Sequence, residues 1–406
     1  MIFVYFVIAN LSLAFAGMGD VPYQQPKQER SDFQSYANVQ LGSDKIADGW
    51  LALFDGKSLF GWRSPGKASA DWAVDSGTVK VTTGEQCLLR TAAQFDDFIL
   101  ELEFFAPPET NSGVFIRTSP KPTDLIKDCL EINIAPDSNP YPTGSIVGHV
   151  VGKPVQLDHS IWNRMRIAAN RRSIKVWIND ELVTDYQTPT ESPGKGFIGL
   201  QLNSGEVRYR NVFLQPLNLR SLLGNSELNG WNVAESRESA FDLANSVLQV
   251  KSGPGQLETK QSFGNFIFST HVRTNADGLN SGVFFRCIPG DFMNGYESQI
   301  QNQFKNGDRK APQDAGTGAI FRRQNARIVN ADDQHWLAKT IIADGATICV
   351  WVNGLQVTDW SDKRKPHDNP RKGQRLKPGT IILQGHDPTT DIHFKQMHVR
   401  ELMPRR

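Results

Sequence analysis

Charge of one sign is what this 406-residue sequence lacks most plainly, with 44 Lys and Arg against 43 Asp and Glu and a formal charge of +1. No general field therefore draws the chain to nucleic acid or to an anionic membrane, and any ligand must be recognised locally. Cysteine is scarce, the four being Cys87, Cys129, Cys287 and Cys349. In an oxidising compartment they could form two disulfides, but four thiols in so long a chain are no disulfide framework. CxxC pairs and the Cys/His spacings of structural zinc are missing, and Cys349, inside the apolar run 348–352, reads as a buried thiol. Neither a phosphate-cradling Gly-rich loop nor a Gly-x-Ser-x-Gly elbow is present, and no Ser/His/Asp order can be assembled. The basic stretch 363–377 carries Pro and Gly and reads as a solvated loop.

Long apolar runs are confined to residues 1–16, where Ala14-Phe15-Ala16 sets small residues at the positions a signal peptidase needs. That predicts an exported protein cleaved before Gly17. The absence of Lys and Arg in the stretch leaves an N-terminal membrane anchor as the alternative. Residues 17–45 are polar and without period, and are expected to form a flexible leader. Aromatics at 10%, nine of them Trp, with 34 Gly and 22 Pro, suit a folded β-rich protein with many turns.

What the sequence does contain is a repeat. Asn111-Ser112-Gly113-Val114-Phe115-Ile116-Arg117 returns as Asn280-Ser281-Gly282-Val283-Phe284-Phe285-Arg286, and Gly61-Trp62 as Gly230-Trp231 at the same offset of 169 residues. Ile174–Asn179 then matches Ile348–Asn353, and Ile198-Gly199-Leu200-Gln201 matches Ile381-Ile382-Leu383-Gln384, in unchanged order. Duplication of a whole domain explains this, with units at 46–217 and 218–406. Within each unit the apolar period is 2: Phe98, Leu100, Leu102 and Phe104 alternate with Ile99, Glu101, Glu103 and Phe105. Many such runs between Gly, Pro and Asn turns, without an amphipathic helix, predict an all-β antiparallel sandwich or jelly roll.

Alternate strand residues point to opposite faces, so the apolar set leaves a second, polar face. In the first unit it is expected to present Glu101, Glu103, Asn111, Phe115, Arg117, Glu131, Asn133, Trp177, Asn179, Gln201 and Asn203. In the second it would present His271, Arg273, Asn280, Phe284, Arg286, Glu297, Gln299, Gln301, Trp351, Asn353, Gln384 and His386. Amides, Arg, Glu and aromatics together suit vicinal hydroxyls and a sugar ring, so a saccharide groove is expected; a solvated or domain-covered face is the alternative. Arg117 and Arg286 could equally pair with a neighbouring Glu, and Trp177 and Trp351 suit packing better than a sugar platform. His386, in the Gly385-His386-Asp387-Pro388 turn, is the better chemical candidate.

The ordered set Leu53–Trp62, Asn111–Arg117, Leu130–Asn133, Trp162-Asn163, Val176–Asn179, Ile198–Gln201 and Tyr209–Asn211 resembles the 3-keto-disaccharide hydrolase domain family. Tyr296–Gln299, Thr317–Ile320 and Leu383–His386 extend the resemblance to the second unit. It implies two tandem concanavalin A-like jelly rolls acting on glycosides oxidised at carbon 3, by hydrolysis or by elimination and hydration. The implied roles are Glu297 or His386 as base, Arg286 as enolate clamp, and Asn280 and Gln299 as hydroxyl readers. His271, Arg273, Gln384, Asn111, Arg117, Glu131 and Glu103 complete the candidate substrate contacts. A divalent cation could stabilise the enolate in place of Arg. Asn203 and Leu130 in the first unit, and Lys395 and Asn302 in the second, depart from the family pattern. A non-catalytic, lectin-like binder is therefore the alternative function.

Overall fold

In strand Phe98–Phe105, Phe98, Leu100, Leu102 and Phe104 are at most 3% exposed while the residues between them are half-buried, so one face makes core and the other faces outward. Repetition of this pattern builds the whole molecule. The structure, a computed structural model, describes residues 32–36, 40–64, 70–136, 138–224, 226–233 and 238–402. The expected signal at 1–16 and most of the expected leader lie outside the described residues.

After a short helix α1 (Ser43–Ala47), the first repeat supplies β1 (Leu51–Ala52), β2 (Trp62–Arg63), β3 (Ala73–Asp75), β4 (Thr78–Val81), β5 (Cys87–Thr91), β6 (Phe98–Phe105) and β7 (Ser112–Thr118). It continues with β8 (Leu130–Ile134), β9 (Asn163–Asn170), β10 (Ser173–Ile178), β11 (Glu181–Gln187), β12 (Phe197–Leu202) and β13 (Val207–Pro216). The second repeat supplies β14 (Arg220–Ser221), β15 (Trp231–Val233), β16 (Ala240–Ala244), β17 (Val247–Lys251), β18 (Gly255–Thr259), β19 (Phe266–Thr274) and β20 (Ser281–Cys287). It closes with β21 (Tyr296–Ile300), β22 (Leu337–Asp344), β23 (Thr347–Val352), β24 (Leu355–Ser361), β25 (Thr380–Gly385) and β26 (Asp391–Glu401).

Each repeat is a two-sheet sandwich of the jelly-roll type. One sheet of each has five strands, β2-β5-β12-β7-β8 in the first and β15-β18-β25-β20-β21 in the second. The opposing sheets are fused: among the described residues, β11-β10-β9-β6-β13-β1-β24-β23-β22-β19-β26-β17-β16 run as one path. The join is β1, antiparallel to β13 and parallel to β24 through Ala52 and Leu355.

The second repeat departs from the expected alternation. Strands β22 and β23 are buried on both faces, because the outer face of this sheet is covered. Ile267, Ile342, Cys349 and Trp351 on that face join the apolar core of the first sandwich. The rest is covered by Phe33, Leu41, Ile46, Ala47, Trp50 and Ala52, packed with Trp336 and Ala338. Residues 32–36 and 40–45 are therefore packed structure where a flexible leader was expected. Polar composition misled there: the few apolar side chains, Phe33 and Leu41, are the ones that dock, and Asn353 Nδ2 donates to Gln34 O at 2.8 Å. Trp351 is core, its indole nitrogen donating to Ala52 O at 3.0 Å. Buried ion pairs complete the join, with Lys195 Nζ 2.9 Å from Asp344 Oδ1, and Arg400 2.8 Å from both Asp96 and Asp97.

Arg117 and Arg286 do not face a groove. Each sits at a register shift of its strand with φ near +50° (50° and 48°), a bulge that takes its side chain out of the alternation. Each is 1% exposed. Arg286 donates to Gly264 O (2.8 Å), Gly345 O (2.7 Å), Arg375 O (3.3 Å) and Asn265 Oδ1 (3.1 Å). Arg117 donates to Asp96 O and Arg171 O, both at 2.8 Å, and pairs with Asp97 at 3.1 Å. The roles of enolate clamp for Arg286 and substrate contact for Arg117 are thus replaced by one of tying loops to the sandwich. Arg286→Met, which strips buried carbonyls of their donor, should cost about 3 kcal/mol or more; the urea midpoint measures it.

Candidate functional site

The exposed face of the second five-stranded sheet collects much of the predicted site. Glu297 on β21 stands opposite Phe284 on β20. The glycine of the repeated Asn-Ser-Gly motif explains how the carboxylate fits: a Cβ on Gly282 would lie 3.0 Å from Glu297 Oε1, and one on Gly113 would lie 3.1 Å from Glu131 Oε1. The motif clears space for a carboxylate in both sandwiches.

Around Glu297 the side chains are held by one another. Asn280 Nδ2 donates to Asp314 Oδ2 at 2.7 Å, and Gln299 Nε2 donates to the same oxygen at 3.0 Å. The Oε1 atoms of Gln299 and Gln384 are buried without a protein donor. His386, on the turn after β25, places Nδ1 2.7 Å from Asp387 Oδ2 and is 38% exposed. Arg371 anchors Nε and Nη2 on Met293 O at 3.0 and 2.8 Å and, with Glu297, lines a cavity of about 90 Å³. Among the described residues no protein group donates a hydrogen bond to the Glu297 carboxylate. Burial pushes Glu297 up to about 7; Arg371, His386 and Lys339 oppose that shift and Asp314 adds to it. A carboxyl poised near neutrality beside an imidazole and a guanidinium can take and return a proton.

The first sandwich repeats the frame with different chemistry. Glu131 is 4% exposed and is likewise pushed up to about 7 by burial, with a hydrogen bond to Gln201 working the other way. Asn203 stands in the place of His386 and accepts from Gln86 Nε2. Asn111, just before β7 on this sheet, is bridged to Ser204, while Glu131 stands opposite Phe115 farther along the strand.

Three predicted contacts belong elsewhere. Glu103 is on the outer face of the fused sheet, paired with Arg210 at 2.6 Å, and lines a separate cavity of about 260 Å³ with Glu101, Trp177 and Phe213. His271, the equivalent of Glu103, is buried beneath Phe33 and Ala47, its ring centroid 4.5 Å from that of Phe33. Burial and the neighbouring Lys395 and His398 hold it down at about 3, so it stays neutral. Arg273 shares that face, donating to Asn275 at 2.8 Å. These three were placed in the groove because alternation shows that a face is polar but not which sheet it belongs to.

Asp314, Arg371 and Lys339 were missed. A signal for the first two was present in the repeat spacing, which grows from 166 residues at Glu131 and Glu297 to 174 at Trp177 and Trp351 and 183 at Gln201 and Gln384. Asp314 and Arg371 lie on the segments where the second repeat gained length. Among the described residues no group of three or more His, Cys, Asp or Glu could hold a metal ion, and no helix is long and apolar enough to cross a membrane.

The profile of the 3-keto-alpha-glucoside-1,2-lyase-like domain matches residues 49–215 and again 218–400. The chain belongs to this family. A 3-keto-disaccharide hydrolase of Bacteroides thetaiotaomicron is 23% identical over 240 residues, spanning 44% of this chain and 82% of that protein. Among solved structures, a protein of Parabacteroides distasonis provisionally assigned to the glycosyl hydrolases aligns at 18% identity and a TM-score of 0.40, covering 44% of this chain and 99% of its own. A carbohydrate-binding module of Bacillus subtilis aligns at 14% identity and a TM-score of 0.31, covering 38% and 95%. Family membership makes this a carbohydrate-active protein with a hydrolase-like role, built from two copies of the family domain.

The buried Glu131 carboxyl has a stability signature. Its folded value of about 7 lies above the ordinary 4.5, so the folded state holds its proton more tightly and stability falls as pH rises between those values. Glu131→Gln removes that loss. Its stability relative to the native chain should therefore grow by up to roughly 3 kcal/mol from pH 4.5 to pH 8, as read from denaturant midpoints across the range.

Proposed function

We propose that the second sandwich cleaves glycosides carrying a ketone at carbon 3, with Glu297 as the base. The ketone acidifies the proton on carbon 2. Glu297 takes that proton, and the electrons of the C2–H bond pass into an enolate. Collapse of the enolate breaks the bond between carbon 1 and the glycosidic oxygen and leaves a C1–C2 double bond. His386, oriented by Asp387, supplies the proton to the leaving oxygen, and addition of water at carbon 1 completes the release of the sugar. Arg371 is the cation at hand for the enolate, in place of Arg286. Gln299 and Gln384, whose Oε1 atoms lack protein donors, accept from sugar hydroxyls. The single observation that carries the reading is Glu297 itself: half-buried, without a hydrogen-bond donor among the described residues, and pushed up to about 7 by burial, with Arg371 and His386 opposing that shift. An ordinary glycosidase would want two facing carboxylates, and Asp314 is already engaged by Asn280 and Gln299. In this reading residues 1–16 serve as an export signal and the reaction takes place outside the cytoplasm.

A second reading applies to the first sandwich. With Asn203 for His386 and Glu131 tied to Gln201, it suits saccharide binding without turnover.

The decisive experiment follows aglycone release from a 3-keto-glucoside and from its unoxidised parent, with and without chelator, using the chain lacking residues 1–16. Release from the ketone alone is expected, with kcat/KM rising through an acid limb near pH 7. Glu297→Gln should lower release by about 100-fold or more while sparing binding. Loss of release on chelation would add a divalent cation to the mechanism. Saccharide binding with no release from either substrate would replace the enzyme reading by the lectin-like one.

A further inference from the structure

Strand β22 reads as core on its inward face, through Leu337, Ile341 and Ala343, except at Lys339, whose side chain is fully buried inside the second sandwich. A lysine in such a place must satisfy its donors and its charge. The ammonium crosses the core to the underside of β21 and donates to Ser298 O at 3.0 Å and Gln299 O at 2.6 Å, the peptide carbonyls that follow Glu297. Its cross-strand neighbours, Thr270 and Val352, carry no charge, and the charge it feels is that of Glu297 on the other face of β21.

The first sandwich is a built-in comparison. Register places Met165, opposite Leu102, where the second sandwich has Lys339 opposite Thr270. The rest of the support is the same in both: Gly318 N donates to Gln299 O at 2.9 Å, and Thr358 Oγ1 holds Gly318 O at 2.8 Å. Gly144 N likewise donates to Asn133 O at 2.9 Å, with Thr184 Oγ1 holding Gly144 O at 2.8 Å. One strand is tied to the opposing sheet in both sandwiches, but a cation was placed beneath it only where Glu297, His386 and Arg371 meet.

We propose that Lys339 is a positioning residue for the second groove: from the core side it fixes the backbone of β21 and adds, behind Arg371 and His386, a further positive charge that favours the negative form of Glu297. The catalytic consequence rests on reading Glu297 as the working base; the electrostatic coupling does not. Glu297 also faces Arg371, His386 and Asp314, whose charges Lys339→Met does not remove. Burial holds the Lys339 amine down to about 7, opposed by Glu297, so the pair exchanges charge in the range where the groove would work.

The test is Lys339→Met, which copies the first sandwich, in protein carrying carbon-13 at the glutamate carboxyls, with the Glu297 signal assigned by Glu297→Gln. Loss of the cation should raise the Glu297 midpoint by about one pH unit, and an unmoved midpoint in the folded variant overturns the proposal. If Lys339→Met does not fold, the lysine ε-carbon is titrated in Glu297→Gln instead. There the Lys339 midpoint should fall by a similar amount, since coupling between two sites is reciprocal; no shift overturns the proposal. A purely structural lysine would change the urea midpoint and leave both titrations where they were. Where the native chain turns over 3-keto-glucoside, the acid limb of Lys339→Met should move to higher pH with the carboxyl. Absence of turnover would remove the catalytic reading and leave the titrations to decide the coupling.

Discussion

The constraint on which the rest of the molecule depends is that the outer face of the second sandwich's large sheet is apolar and cannot be left in water. Ile267, Ile342, Cys349 and Trp351 on that face join the core of the first sandwich. Phe33, Leu41, Ile46 and Trp50 cover another part of it. Area removed from water is the main favourable term here, and it is gained between domains as well as within them. The pairing of β1 with both β13 and β24 and the buried Lys195–Asp344 pair then set the geometry of a contact that the apolar face demands.

Against that shared frame, the two grooves have taken different chemical paths. Both keep the glycine that clears room for a carboxylate, and both raise that carboxylate to about 7 by burial. The first then engages its carboxylate with Gln201 and sets Asn203 where an imidazole would be. The second leaves its carboxylate without a donor among the described residues and sets it near His386, Arg371 and Lys339. Longer loops bring Asp314 and Arg371 in, whereas Lys339 arrives by exchange of one core side chain for a cation.

Much of this was legible because strand periodicity and duplication are both linear signals. The all-β fold, the order of the repeats, and the gathering of Asn280, Glu297, Gln299, Gln384 and His386 came from residues that obey alternation. Failure came where alternation is locally broken or ambiguous. Arg117 and Arg286 sit on bulges with positive φ, which send the side chain to the end of the sandwich. His271, Arg273 and Glu103 belong to the other sheet, and polarity alone does not name the sheet. His271 was further concealed because Phe33, in a stretch whose composition suggested no structure, lies on it. Lys339 was illegible for a similar reason: a lysine among apolar residues reads as an outward-facing position until the strand's partner shows it pointing in.

The fused sheet also bears on the history of the duplication. Once the second copy had given up a soluble outer face, the first could no longer be deleted without exposing Trp351 and its neighbours as a sticky patch. The older liberty of a spare copy, to decay and disappear, was thereby closed. Its groove carries no such constraint, because Glu131 and Gln201 lie on the five-stranded sheet, away from the face that covers the second sandwich.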